Sequence, residues 1–127
     1  MAVDQDTLIE LNGSNVDKFL VAKTLYKILE EFNISKTAAA RIFKKNKSAL
    51  SRYQSTGIKP YSLEADMVYY LYNVYKLSLA AFNNNKEILS QFMHTKIEEF
   101  NTTPLDLIID RNRRHLLINF LHNITQP

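Results

Sequence analysis

Residues 34–54, ISKTAAARIFKKNKSALSRYQ, decide the fold of this chain. Ser35 and Asn46 carry side-chain oxygens that can accept a hydrogen bond from a free N–H in the first turn of a following helix. Three alanines at positions 38–40 give the first helix a small-residue face, against which another helix can pack closely. Leu50 and Tyr53 are three residues apart and share one face of the second helix. The stretch therefore predicts two short helices joined by a turn of three or four residues, a helix-turn-helix.

The outward face of the second predicted helix is polar and basic. Such side chains suit the phosphates and base edges of a DNA major groove, which is wide enough to admit an α-helix. We therefore predict operator DNA as a partner. The expected DNA-binding residues are Lys36, Thr37, Lys45, Lys47, Ser48, Ser51 and Arg52.

Charge is segregated along the chain in the way this prediction requires. Residues 35–60 contain seven basic residues and no acidic one, whereas residues 1–34 carry a net charge of −3 and residues 61–110 of −4. A solvated basic face without a ligand is the alternative interpretation. The coincidence of the basic block with the predicted reading helix favours DNA binding.

The turn itself contains one unfavourable residue. Lys44 occupies the position where such motifs often carry glycine. A left-handed backbone there would cost about 1 kcal/mol for a residue with a Cβ atom. This cost favours another geometry for the turn, and it leaves open whether DNA binding is retained.

Composition predicts an all-α fold in one compact domain, or in one domain with a small appended lobe. The 127 residues are 46% hydrophobic, with only two glycines, three prolines and no alternation of β-branched residues. Cysteine is absent, which excludes disulfides and thiolate chemistry. The three scattered histidines do not form a metal-ligand pattern and are expected at the surface or facing a partner: His94, His115 and His122.

Catalysis is not predicted. The sequence shows no acid–base pair, no activated nucleophile and no glycine-rich phosphate loop, so we expect no enzymatic activity, no cofactor and no small-molecule substrate. It also shows no signal sequence and no apolar run long enough to span a membrane. The expected location is the cytoplasm.

Three segments are expected along the chain. Residues 1–15 form a flexible arm, residues 16–83 the helix-turn-helix DNA-binding domain, and residues 84–127 a C-terminal lobe. Ser14 or Asn15 is expected to cap the first helix, and Gly57 to end the reading helix in a left-handed conformation. Ser62 is expected to begin a long helix, and Thr102 or Thr103 to cap a short one with Pro104 at its first position.

The long helix has an apolar stripe that is accompanied by four tyrosines, Tyr69, Tyr70, Tyr72 and Tyr75. Four are too many for one core-facing side. Two interpretations stay open: a dimer contact, because tyrosine offers a large contact area at low entropic cost, or partly buried residues at the edge of the stripe. The predicted stripe itself is Leu63, Met67, Tyr70, Leu71, Val74, Leu77 and Ala81.

The C-terminal part carries a family resemblance. Phe92-Met93 is followed by Thr103-Pro104-Leu105-Asp106-Leu107-Ile108, and then by Leu117, Leu121 and Ile124 at spacings of four and three. This succession resembles the toxin-binding domain of the Xre/MbcA/ParS-type antitoxins, although Phe92 stands where tryptophan is usual and Arg113 at a common glycine position. The stretch from Ala40 to Tyr53 is similar to the helix-turn-helix of the same family, so the resemblance covers residues 20–125.

The resemblance implies two activities, and we state both as expectations. Such proteins repress their own operon through the helix-turn-helix and neutralise a co-encoded toxin, commonly an NAD-consuming RES-type toxin, by covering or entering its active-site cleft. We separately expect this chain to form a homodimer. The alternative is a stand-alone repressor whose C-terminal lobe only dimerises. The toxin-binding residues implied in this chain are Thr103, Pro104, Leu105, Asp106, Arg111, Arg113, Arg114 and Phe120.

Three of these residues form a basic cluster that is unusual for its position. Arg111, Arg113 and Arg114 lie at the start of the last predicted helix, where cations are unfavourable to the helix dipole. An acidic cleft on a protein partner, a DNA phosphate, or simple solvation beside Asp106 and Asp110 would each account for them.

Overall fold

The computed structural model describes residues 17–125, and this part of the chain is all-helical. The all-α prediction is confirmed. Between residues 17 and 125 the only β-type pairing is one isolated bridge, in which the Ile97 N–H donates to the Thr102 carbonyl at 2.8 Å. The predicted arm of residues 1–15 lies outside the described residues. The helices are α1 (Lys18–Glu31), α2 (Lys36–Phe43), α3 (Lys47–Thr56), α4 (Leu63–Ala81), α5 (Lys86–Met93), α6 (Pro104–Ile109) and α7 (Arg114–Thr125), with a 3-10 turn (Arg111–Arg113) before α7.

Four predicted helix caps are confirmed. Three of these caps are Ser35, Asn46 and Ser62. Each side chain accepts a hydrogen bond from the backbone N–H of the residue three positions later, at 3.1, 2.8 and 3.0 Å respectively. Thr103 does the same at 3.1 Å, with Pro104 at the first helical position. Each cap satisfies an N–H that the helix itself leaves free, which is why local sequence is enough to locate it.

The first helix of the described residues starts later than predicted. Asp17 is its N-cap, with the carboxylate accepting from the Phe19 N–H at 2.8 Å. The prediction of a cap at Ser14 or Asn15 is therefore wrong. Asp17 is as good a capping residue as either of them, and it lies directly before the apolar stripe of α1.

Helix α4 is the centre of the molecule and packs against both α1 and α7. Helix α2 packs against α3 and also against α6. The buried side chains of residues 17–125 form one contiguous cluster to which both predicted domains contribute. The boundary at residues 83 and 84 falls in the turn between α4 and α5, but the core runs across it.

The buried face of α4 differs from the predicted stripe. Leu63 is 84% exposed, so its assignment to the stripe is wrong. It is the first residue of the helix, where no neighbouring helix covers it. Tyr72 and Tyr75 are buried instead, and Tyr69 and Tyr70 are half-buried. The physical reason is that α4 is covered from two sides, which buries a wider face than a single stripe.

Candidate nucleic-acid interface

Helices α2 and α3 are joined by three residues, 44–46, and pack against each other. Leu50 is buried on the inner face of α3, and Tyr53 is half-buried beside it, as predicted. Helix α1 supports α3 from behind, where the Tyr26 hydroxyl donates to the Leu50 carbonyl. One face of α3 is therefore fixed to the core, and the opposite face is left open.

Lys44 adopts the left-handed conformation, with φ 55° and ψ 42°. The expectation of another turn geometry is wrong. A turn of only three residues has to reverse the chain at once, and the left-handed residue directs the backbone N–H groups of Lys44 and Lys45 to the carbonyl of Ala40. These bonds satisfy a helix-terminal carbonyl and offset the steric cost.

All seven predicted DNA-binding residues are exposed. The structure brings Lys36 and Ser51 together, with 3.3 Å between Nζ and Oγ, so the start of α2 lies beside the middle of α3. Lys45 is turned toward the start of α4, where its Nζ lies 3.3 Å from a Glu64 carboxylate oxygen. The open face of α3 itself presents Lys47, Ser48, Ser51 and Arg52 at helical spacing.

The charged side chains between residues 35 and 60 are all positive. The seven basic side chains between residues 35 and 60 are all exposed, and the first acidic residue after them is Glu64. A hydrogen bond from its own backbone N–H and the nearby Lys45 ammonium hold the pKa of Glu64 below its usual value. Glu64 therefore offsets Lys45 at neutral pH, but no acidic side chain interrupts α3. The positive end of the α3 dipole adds to the attraction for anions.

Gly57 fixes the end of α3 against α1. Its φ is +74°, as predicted, although its ψ of −179° is extended rather than left-handed helical. A Cβ atom on Gly57 would lie 2.8 Å from Cγ of Lys18 and 3.0 Å from its carbonyl carbon. The next residue, Ile58, donates its N–H to the Lys18 carbonyl at 2.9 Å. Only glycine permits this close approach.

The C-terminal arginines are engaged within the chain. Arg114 donates to the carbonyl of Ile108, and through Nη2 to the carbonyl of Ile42 at 3.2 Å. Arg113 donates to the carbonyl of Phe100 at 3.0 Å. Burial lowers the pKa of Arg114. These hydrogen bonds give Arg113 and Arg114 a structural role. They offset the unfavourable interaction of two cations with the positive end of the α7 dipole. Arg111 is exposed.

The other residues of the expected toxin-binding set are distributed between core and surface. Pro104 is buried, and Thr103 and Leu105 are half-buried. Phe120 is half-buried between two aromatic rings, with centroid distances of 6.4 Å to Phe92 and 5.9 Å to Phe100. Asp106 is exposed, and its carboxylate accepts a hydrogen bond from the Thr102 hydroxyl at 3.0 Å. Asp106 and Arg111 are thus the most accessible members of the set.

Other kinds of site find little support in the described part of the chain. Residues 17–125 contain no group of His, Asp and Glu side chains that could hold a metal ion. The three histidines are exposed, and Nε2 of His94 lies 2.9 Å from the Asn33 carbonyl. No helix within the same range is both long and apolar enough to cross a membrane.

The fold and this surface define an all-α protein with an open, acid-free basic helix face. No protein-family model matches the sequence, and no curated protein matches it significantly. Function is therefore inferred from the geometry of α2, α3 and their surroundings.

Proposed function

We propose that the protein is a DNA-binding transcriptional repressor that contacts duplex DNA with α3. The observation that carries the proposal is the division of α3 into a face fixed by Leu50 and an exposed face with Lys47, Ser48, Ser51 and Arg52. A helix held in this way can enter a major groove without rearrangement of the core.

Each side chain of the interface has a distinct expected role. Lys47 and Lys36, at the N-terminal ends of α3 and α2, contact phosphates and give affinity that depends strongly on salt. Arg52 and the two serines face the base edges, where arginine can form two hydrogen bonds with guanine. Lys45 contributes less, because Glu64 already neutralises it.

Fluorescence anisotropy with duplex DNA selected from a random pool tests this function. Arg52→Ala and Lys47→Ala are expected to weaken binding by about tenfold or more, and loss of a phosphate contact lowers the slope of log affinity against log salt by about one. Lys96→Ala, which removes an equal charge from an exposed loop on the C-terminal side, is the matched control. Equal effects of all three substitutions, or no selectable sequence, would refute the proposal.

We further propose that the C-terminal surface binds a protein partner, the co-encoded RES-type toxin that the family resemblance implies. The specific observation in favour is that the C-terminal part of the chain leaves Asp106 and Arg111 exposed and also carries half-buried apolar residues, including Leu105 and Phe120. An apolar centre with a charged rim is the usual composition of a protein interface.

Co-expression with the adjacent open reading frame tests the second activity. If the neighbour is toxic alone and harmless with this chain, Arg111→Glu should abolish rescue and co-purification while DNA affinity stays within about twofold. If the neighbour is harmless alone and nothing co-purifies, the antitoxin proposal fails and the repressor proposal stands by itself.

A further inference from the structure

A groove of about 560 Å³ lies between the α2–α3 turn, the start of α4 and the 3-10 turn. Its apolar wall is contributed by Ile42, Phe43, Leu63 and Met67. Leu63 is 84% exposed, so residues 17–125 leave this wall open at the start of α4. Sequence reasoning did not find the groove, because its walls come from three separated parts of the chain.

The charge of the groove is net positive. Its lining contains four basic and two acidic side chains, a net charge of +2: Lys44, Lys45, Arg111, Arg114, Glu64 and Asp66. Lys45 and Glu64 form an ion pair at 3.3 Å and neutralise each other. The hydrogen bonds of Arg114 go to backbone carbonyls, which leave its charge in place. An apolar wall with excess positive charge favours an occupant that is both apolar and acidic, which DNA is not.

The chain itself contains a stretch of this composition. Residues 4–11, DQDTLIEL, combine three acidic side chains with three large aliphatic ones and include no basic residue. The stretch therefore complements the groove in charge and in polarity.

The stretch is also long enough to reach the groove. The Ile58 N–H donates to the Lys18 carbonyl at 2.9 Å, so the start of α1 lies five positions before Leu63 in the neighbouring segment. Five residues span at most about 18 Å, and residues 12–17 can span about 20 Å. A segment of the same chain competes at an effective concentration on the order of 1 mM, which favours it over a separate acidic protein.

We propose that residues 4–11 of the chain occupy this groove. The aliphatic side chains of the stretch cover Leu63 and Met67, and its carboxylates lie beside Lys44 and Arg111. The docking does not depend on DNA binding by α3. Because Arg111 lines the groove, the docked stretch also competes with the protein partner proposed for Arg111, and only this consequence rests on the proposed function.

Paramagnetic relaxation in the full chain, without DNA or partner, tests the docking. The natural sequence has no cysteine, so Thr7→Cys provides a single site for a nitroxide label. The amide signals of Lys44 and Met67 should be broadened several-fold more than that of Ile124, which lies about 15 Å along α7 from Arg114. Isotope-labelled chains without nitroxide, mixed with nitroxide-carrying chains, should show no such broadening, since the contact lies within one chain.

Two substitutions and a matched control identify the contact. Leu8→Asp removes an apolar anchor and should weaken docking by at least about tenfold. Lys44→Glu, at an exposed groove position, should reduce the broadening, whereas Lys96→Glu makes the same charge change at an exposed site outside the lining and should leave it unchanged.

Four results would overturn the inference. They are equal broadening of groove and Ile124 amides, broadening that survives both Leu8→Asp and Lys44→Glu, an equal loss with Lys96→Glu, and broadening in the mixed sample. The last of these would identify the stretch of a second copy as the occupant. None of them bears on whether α3 binds DNA, so the two proposals fail independently.

Discussion

The substitution Lys44→Gly isolates the cost of the left-handed turn residue. Lys44 is exposed and has φ 55° and ψ 42°, so the change removes a Cβ atom from a strained position without removing a core contact. The relief is about 1–2 kcal/mol. Glycine also makes the unfolded chain more flexible, which offsets about 0.4–1 kcal/mol of that gain. The net expectation is a free energy of unfolding higher by about 0.5–1 kcal/mol.

Thermal and guanidinium unfolding measure this difference directly. For a domain of this size the gain corresponds to a melting temperature higher by about 2–5 °C. Lys44→Ala is the control, because alanine removes the charge and the long side chain but keeps the Cβ atom and the strain. If Lys44→Ala stabilises the protein as much as Lys44→Gly, relief of charge repulsion within the basic block is the cause, and the argument from backbone strain is refuted.

Three further predictions concern residues whose contacts or burial stabilise the folded chain. Arg114→Ala leaves two backbone carbonyls without their donor and should lower the free energy of unfolding by about 2–3 kcal/mol in a denaturation assay. Arg111→Ala is the control. Because Arg111 is exposed, this change should alter the free energy of unfolding by less than about 0.5 kcal/mol. Gly57→Ala should cost about 2 kcal/mol or more and should shift the amide NMR signals of α1 along with those of α3. Burial raises the pKa of Tyr70 and Tyr75 above the ordinary value of 10.0, so the stability that their protonated hydroxyls contribute is complete below pH 10 and is lost as the pH rises further. Unfolding midpoints should therefore fall as the pH is raised from about 10 to about 12, and Tyr70→Phe should reduce that fall.

The features that the sequence predicted correctly are those set by near neighbours. Ser35, Asn46, Ser62 and Thr103 each act on an N–H three residues away, and the helix type follows from the same local patterns. The exposure of the basic residues on α3 was predictable for a similar reason. The spacing of Leu50 and Tyr53 sets the inward face, and the remaining positions must then point outward.

Other features, which the sequence did not reveal, depend on residues far away in the sequence. Arg114 reaches the carbonyl of Ile42, 72 positions earlier, and Tyr70 donates to the Arg114 carbonyl across 44 positions. Neither hydrophobic periodicity nor the helix dipole predicts a contact between residues so far apart. The hydrogen bonds of Arg114 to Ile42 and of Tyr70 to Arg114 could therefore not be predicted from the sequence. The exposure of Leu63 has the same origin, because it depends on where neighbouring helices end.

The shared core decides how the two proposed activities can be separated. Deleting residues 103–127 would be the simplest way to remove the proposed toxin-binding part, but it also removes fully buried side chains, Leu107, Ile108, Leu117 and Leu121. It would further delete Arg114, which holds the carbonyl at the end of α2. Loss of DNA binding in such a truncation would then report unfolding rather than a common surface. Arg52→Ala and Arg111→Glu avoid this ambiguity, because both residues are exposed and outside the core. If each variant loses one activity and keeps the other, one folded unit carries two independent surfaces.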